Sequence, residues 1–128
     1  MVFGTFDALH PGHLRFLEYA RKFGDFLIVS ISRDFVAKEI KGHLPSNSES
    51  DRKKLLEAIS FVDKVVLGSK KDYLNHIIVQ NPQVIVLGYD QKAFTNKLGE
   101  KLAKKGLRVK IVRARPYKKR YYQTRLLK

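Results

Sequence analysis

Gly4-Thr5-Phe6-Asp7-Ala8-Leu9-His10-Pro11-Gly12-His13 is the stretch that decides the reading of this chain. The apolar Met1-Val2-Phe3 precedes it, and an amphipathic run, Leu14-Arg15-Phe16-Leu17-Glu18-Tyr19-Ala20-Arg21-Lys22-Phe23, follows. That order implies strand, glycine turn, helix. His10 and His13, three residues apart at a helix start, share one face. The face borders main-chain N–H groups with no partner inside the helix and the positive end of its dipole. Such a place suits a phosphate, and imidazoles donate hydrogen bonds to phosphate oxygens. Paired histidines also occur on helix surfaces and in metal sites. A closed metal site needs more ligands, and the chain has no cysteine and only two other histidines, His43 and His76, in different settings.

Outward from this string the pattern alternates strand and helix. Gly24 is expected to close the first helix. Residues 25–32 form a short apolar run, as in a strand buried on both faces. Residues 42–51 read as a loop, with Asp51 or Ser50 capping a helix over 52–59. Strand 64–67, helix about 71–80, strand 84–88, helix about 93–105 and strand 107–112 complete the order. Asn81-Pro82 and Gly106 mark two helix ends. Alternating βα units predict an α/β fold: a Rossmann-like parallel sheet with helices on both faces and right-handed crossovers. The 128 residues suit a single domain, 1–128. Ligands of such sheets sit beyond the carboxyl ends of the strands, and both strong motifs fall there, after Phe3 and after Leu87. The first strand is very short for a central position, a length that also fits a start inside a longer natural chain.

Charge is unevenly placed. Residues 1–100 carry 14 Lys/Arg and 12 Asp/Glu, whereas residues 101–128 carry 12 Lys/Arg and no acid, within a total of +14. A segment of that kind suits nucleic acid or a highly charged small molecule such as a nucleoside triphosphate, or is simply a solvated basic face. No apolar run approaches the roughly 20 residues that cross a bilayer, and no signal peptide precedes the first motif. The lack of cysteine excludes disulfides and thiol chemistry, and a cytoplasmic location is expected by default.

The Gly-Thr-Phe-Asp and His-x-Gly-His elements together resemble the signature of the cytidylyltransferase-like nucleotidyltransferases. Ser60-Phe61-Val62-Asp63-Lys64-Val65-Val66-Leu67-Gly68 is similar to the family's Val-Asp-Glu-Val strand. Leu87-Gly88-Tyr89-Asp90-Gln91 resembles the version found in archaeal FAD synthases, so the likeness spans nearly the whole chain. The resemblance implies transfer of a nucleoside monophosphate from ATP or CTP to a phosphorylated acceptor, with Mg²⁺ accompanying the triphosphate. FMN is the favoured acceptor and glycerol 3-phosphate the runner-up. A homodimer is expected. A nucleic-acid-binding relative without turnover is the reading from another class.

The resemblance assigns roles residue by residue. His10 and His13 contact the triphosphate and stabilise transition-state charge, Thr5 and Phe6 hold it partly through main-chain N–H groups, and Gly4 belongs to the same nucleotide-binding turn. Phe6 is equally suited to the core. Asp7 caps the helix or orients a histidine. Lys41 bridges the two reacting phosphates, with Lys38 as the alternative. Arg52 takes the family's arginine position or a surface one. Gly88, Tyr89 and Asp90 meet base, ribose or Mg²⁺. The chain departs from the family at its C-terminal serine and threonine motif, where Tyr122-Gln123-Thr124-Arg125 stands. Thr124 keeps a hydroxyl and Arg125 a charge for the outer phosphates, with Lys118, Lys119 and Arg120 nearby.

Overall fold

The computed structural model describes residues 1–91 and 97–115. In chain order these form β1 (Val2–Gly4), α1 (Pro11–Arg21), β2 (Ile28–Ile31), α2 (Asp34–Lys41), α3 (Glu49–Glu57), β3 (Lys64–Leu67), α4 (Tyr73–Gln80), β4 (Val84–Leu87), α5 (Leu98–Lys104) and β5 (Lys110–Arg113). Strands β1, β2 and β3 pair in parallel, with Val2 opposite Val29 and Val29 opposite Val65. Strands β4 and β5 form a second parallel pair. Met1 joins the two. Its nitrogen donates to the Val84 carbonyl at 2.9 Å, and the Val86 N–H donates to the Met1 carbonyl at 3.1 Å. The spatial order is therefore 3-2-1-4-5, and the chain reverses its progress between β1 and β4. A crevice opens at the carboxyl ends of strands flanking such a reversal.

The period-two alternation of strands sorts side chains into two cores. Val2, Val29, Ile31, Val65 and Val86 face one side, where Leu17 and Ala20 of α1 and Leu56 of α3 cover them. Phe3, Ile28, Ile85 and Leu87 face the other, covered by Ile77 of α4 and by Leu98 and Leu102 of α5. Strands this apolar are stable only between two helical layers, which is the expected doubly covered sheet.

Several element ends differ from expectation. Helix α1 ends at Arg21, with Lys22 as its C-cap in right-handed geometry, so Gly24 lies beyond the cap. Helix α3 begins at Glu49, because the Ser48 side chain, not Ser50 or Asp51, accepts the first-turn Asp51 N–H. Helix α2, with only Ala37 fully buried, went unforeseen among its surface charges. Gly106 behaves as expected. At φ 92° it lets its own N–H reach the Ala103 carbonyl and the Leu107 N–H reach the Leu102 carbonyl, which closes α5. Strand β5 consequently begins at Lys110. Thr124, Arg125 and the basic run 118–120 lie outside the described residues, as does the first part of the helix expected from residue 93.

Candidate active site

His10 is the N-cap of α1. Its backbone is extended, and its Nδ1 accepts from the N–H groups of Gly12, at 3.1 Å, and His13, at 3.4 Å. An accepting Nδ1 leaves the ring proton on Nε2. One side of the ring thus satisfies the helix end while the other carries an N–H donor. The same contact explains Gly12: a Cβ there would lie 2.9 Å from Cε1 of His10 and 3.0 Å from Nδ1. Pro11, with no N–H of its own, occupies the first helical position.

His13 stacks on His10, with ring centroids 3.7 Å apart and planes 21° from parallel. Burial, then the nearby His10, push its pKa down to about 4, with the Ala8 main chain opposing and Lys41 adding to the fall. Nδ1 of His13 is buried without a hydrogen-bond partner among the described residues. Two stacked imidazoles cannot comfortably share two positive charges, so His13 enters neutral and the positive dipole end of α1 supplies the attraction for an anion.

Phe6 supports this pair. Its ring meets His13 edge to face at 5.3 Å, and it is buried within the first core. Its φ of 50° places a phenylalanine in left-handed backbone, a costly conformation that the surrounding packing must hold. Gly4 makes room, since a Cβ there would stand 2.7 Å from the Phe6 ring. Phe6 therefore serves the core and shapes the site together.

The histidine turn is tied to the next loop. Asp7 neither caps α1 nor orients a histidine. Its carboxylate accepts the N–H groups of Ser46 and Asn47, both at 2.8 Å. These bonds, Asn47 first, hold the Asp7 pKa below the usual carboxylate value. Arg52 is not a surface residue but is wholly buried. It donates to the carbonyls of Thr5, at 2.9 Å, and Asn47, at 3.1 Å, and to the Asp34 carboxylate at 2.6 Å. One guanidinium thus locks the exit of β1, the 42–48 loop and the start of α2.

Across the switch point, Gln91 ties β4 to β1. Its side-chain oxygen accepts the Gly88 N–H and its nitrogen donates to the Phe3 carbonyl, each at 2.9 Å. Arg113 donates to the Gly88 carbonyl at 2.9 Å and the Gln91 carbonyl at 2.7 Å. A Cβ on Gly88 would meet only ordinary contacts, the nearest being Asp90 Oδ1 at 3.6 Å. Glycine at 88 therefore leaves space beside the crevice that the protein's own packing does not need.

These parts surround one cleft of 1590 Å³, larger than the roughly 300–1,000 Å³ of a single small-ligand pocket. Gly4, Thr5, Phe6, His10, His13, Lys41, Gly88, Tyr89 and Asp90 all line it, so nine expected site residues meet in one place. Lys41, the last residue of α2, lines the wall, whereas Lys38, one turn earlier, does not. The cleft also takes in residues that carried no site role in the sequence: Arg33 after β2, Gly68 to Lys71 after β3, and Arg113 at the end of β5. Their position at strand carboxyl ends was the available signal. Among the described residues no cluster of three or more His, Asp or Glu could hold a metal ion. No helix among them is long and apolar enough to cross a membrane.

The cytidylyltransferase-like family model matches residues 1–125. A FAD synthase from Aciduliprofundum boonei is 43% identical over 117 residues, covering 91% of this chain and 78% of that protein. One from Ferroglobus placidus is 43% identical over 114 residues, covering 88% and 72%. The crystal structure of a lipopolysaccharide core biosynthesis protein from Thermoplasma volcanium superposes with a TM-score of 0.83 at 38% identity, covering 91% of this chain and 96% of that one. A protein of unknown function from Archaeoglobus fulgidus shares the fold, with a TM-score of 0.69 at 17% identity over 91% of this chain and 90% of that one. The chain belongs to the cytidylyltransferase-like family.

Proposed function

We propose that this member of the cytidylyltransferase-like family is an FMN adenylyltransferase that moves AMP from ATP to FMN, forming FAD and pyrophosphate. The observation that carries the reading is the capped, stacked His10–His13 pair at the switch-point crevice, facing Gly88-Tyr89-Asp90-Gln91. Two FAD synthases at 43% identity support FMN as the acceptor.

In the reaction an oxygen of the FMN phosphate forms a bond to the α-phosphorus of ATP. The bond from that phosphorus to the oxygen bridging to the β-phosphorus breaks, and pyrophosphate leaves with the electron pair. The nucleophile is already an anion, so no strong base is needed. The work is alignment and compensation of charge. His10 directs Nε2–H at the triphosphate, because its other nitrogen is committed to the helix end. His13, neutral and poorly solvated, gains most from an anion. Lys41 offsets repulsion between the two reacting phosphates. Gly88 admits the nucleotide close to the backbone, while Tyr89 and Asp90 meet its base, its ribose or the metal. Asp90, whose side chain lines the cleft, would hold a magnesium ion arriving with the triphosphate, and that ion would offset phosphate charge.

The test is a screen of ATP and CTP against FMN, glycerol 3-phosphate and sugar 1-phosphates, scored by pyrophosphate. ATP with FMN should give the highest kcat/KM. A higher value for another pair would reassign the acceptor. Salt-sensitive RNA binding without pyrophosphate from any pair would favour the nucleic-acid reading.

A further inference from the structure

Ser30 stands in β2, a strand whose four residues are all buried, and it is the polar one among them. Alternation puts it on the same face as Ile28, toward the second core. A hydroxyl on such a face costs free energy unless it is bonded. Its partner is Nε2 of His76 on α4, at 2.8 Å. A pair formed only to satisfy the hydroxyl could sit sealed between sheet and helix. This one does not. Ser30, His76 and Tyr73, one helical turn before His76, all line the cleft. No described residue bonds Nδ1 of His76.

Burial, with the charge of Arg33 adding, holds the His76 pKa below its ordinary value, so the ring is neutral near pH 7. A neutral imidazole presents one donor or one acceptor at Nδ1, depending on which way the Ser30 hydroxyl points. Lys70 and Lys71, which also line the cleft, suit a phosphate, whereas Arg33 is already held by the Gly68 carbonyl at 2.9 Å and by Glu49 at 3.5 Å. The neutral ring suits something else.

We infer that His76, seated on Ser30, determines acceptor specificity by hydrogen-bonding an uncharged polar group of the acceptor, away from its phosphate. For FMN that group is a ribityl hydroxyl or a carbonyl or N–H of the flavin ring. The inference rests on the FMN reading above. Ser30 acts through His76 and is a positioning residue.

Steady-state kinetics with FMN and ATP varied separately test this in the wild type, His76→Phe, His76→Gln and Ser30→Ala, with a thermal melt on each. His76→Phe keeps a ring but loses both nitrogens. It should raise KM for FMN about tenfold, the typical worth of one hydrogen bond lost to a desolvated partner, with KM for ATP changed less than about twofold. His76→Gln should recover part of that loss, and Ser30→Ala should show a smaller FMN defect of the same kind. A lowered melting temperature with KM for FMN unchanged, or equal rises in both KM values, would overturn the inference and leave a structural pair. If the wild type makes no FAD at all, the proposed function itself fails, a result distinct from normal FAD synthesis with an indifferent His76.

Discussion

His10→Asn separates the helix cap that His10 forms from the phosphate contact proposed for it. The asparagine Oδ1 stands where Nδ1 stands, one bond from Cγ, and can accept the same Gly12 and His13 N–H groups. Asparagine is among the best N-cap residues, so stability should stay within about 0.5 kcal/mol of wild type. His10→Ala removes the acceptor and should cost about 1 kcal/mol, or about 4 °C in melting temperature for a chain of this size. Both variants lack the Nε2–H donor. Loss of one donor to transition-state charge typically lowers kcat by about 10²–10³, or about 3–4 kcal/mol. The assay is FAD formation from ATP and FMN, paired with thermal melts. His10→Asn should be as stable as wild type and as slow as His10→Ala. Turnover of His10→Asn near wild type would refute the reasoning, because the cap alone would then be what His10 contributes.

Gly88→Ala should melt within a few degrees of wild type yet raise KM for ATP at least about tenfold, since only ordinary contacts await the methyl group inside the protein. Equal KM values would remove Gly88 from the nucleotide site. Arg52→Leu should lose about 3–5 kcal/mol in denaturant unfolding, because Asp34 and two carbonyls lose their partner; a loss under about 1 kcal/mol would contradict its bridging role. His13 has a folded-state pKa of about 4 against an ordinary 6.5, so the unfolded chain takes up its proton first. Its contribution to stability is complete above about pH 6.5 and is lost as pH falls through about 4. His13→Asn should therefore flatten the acid side of the melting curve against pH, and an unchanged acid side would contradict the shift.

Much of this was legible in the sequence. Apolar runs such as Val84-Ile85-Val86-Leu87 have few folded alternatives to a strand between two helical layers, and β3 and β4 fall where the pattern puts them. The glycine string and Gly88-Tyr89-Asp90 meet in one cleft because both follow strands beside the reversal in sheet order. What stayed hidden depends on distant partners. Arg52 looks like any helix-surface arginine until the Thr5 and Asn47 carbonyls close around it. Asp7 offers a local capping role, but two N–H groups some forty residues away outcompete it. Ser30 and His76 are 46 residues apart, and no periodicity links them. Helix α2 leaves Phe35 and Ile40 exposed and buries only Ala37 fully, so its apolar residues do not mark a core-facing side.

The central claim, transfer of AMP to FMN, is tested most directly by tracing the phosphorus atoms of ATP. With label at the α-position, the account predicts that label appears in FAD, one per flavin, in step with pyrophosphate release and dependent on FMN. With label at the γ-position it should appear in pyrophosphate alone. Label from the α-position in any product other than FAD, or γ-label released as orthophosphate by the purified protein, would contradict the account.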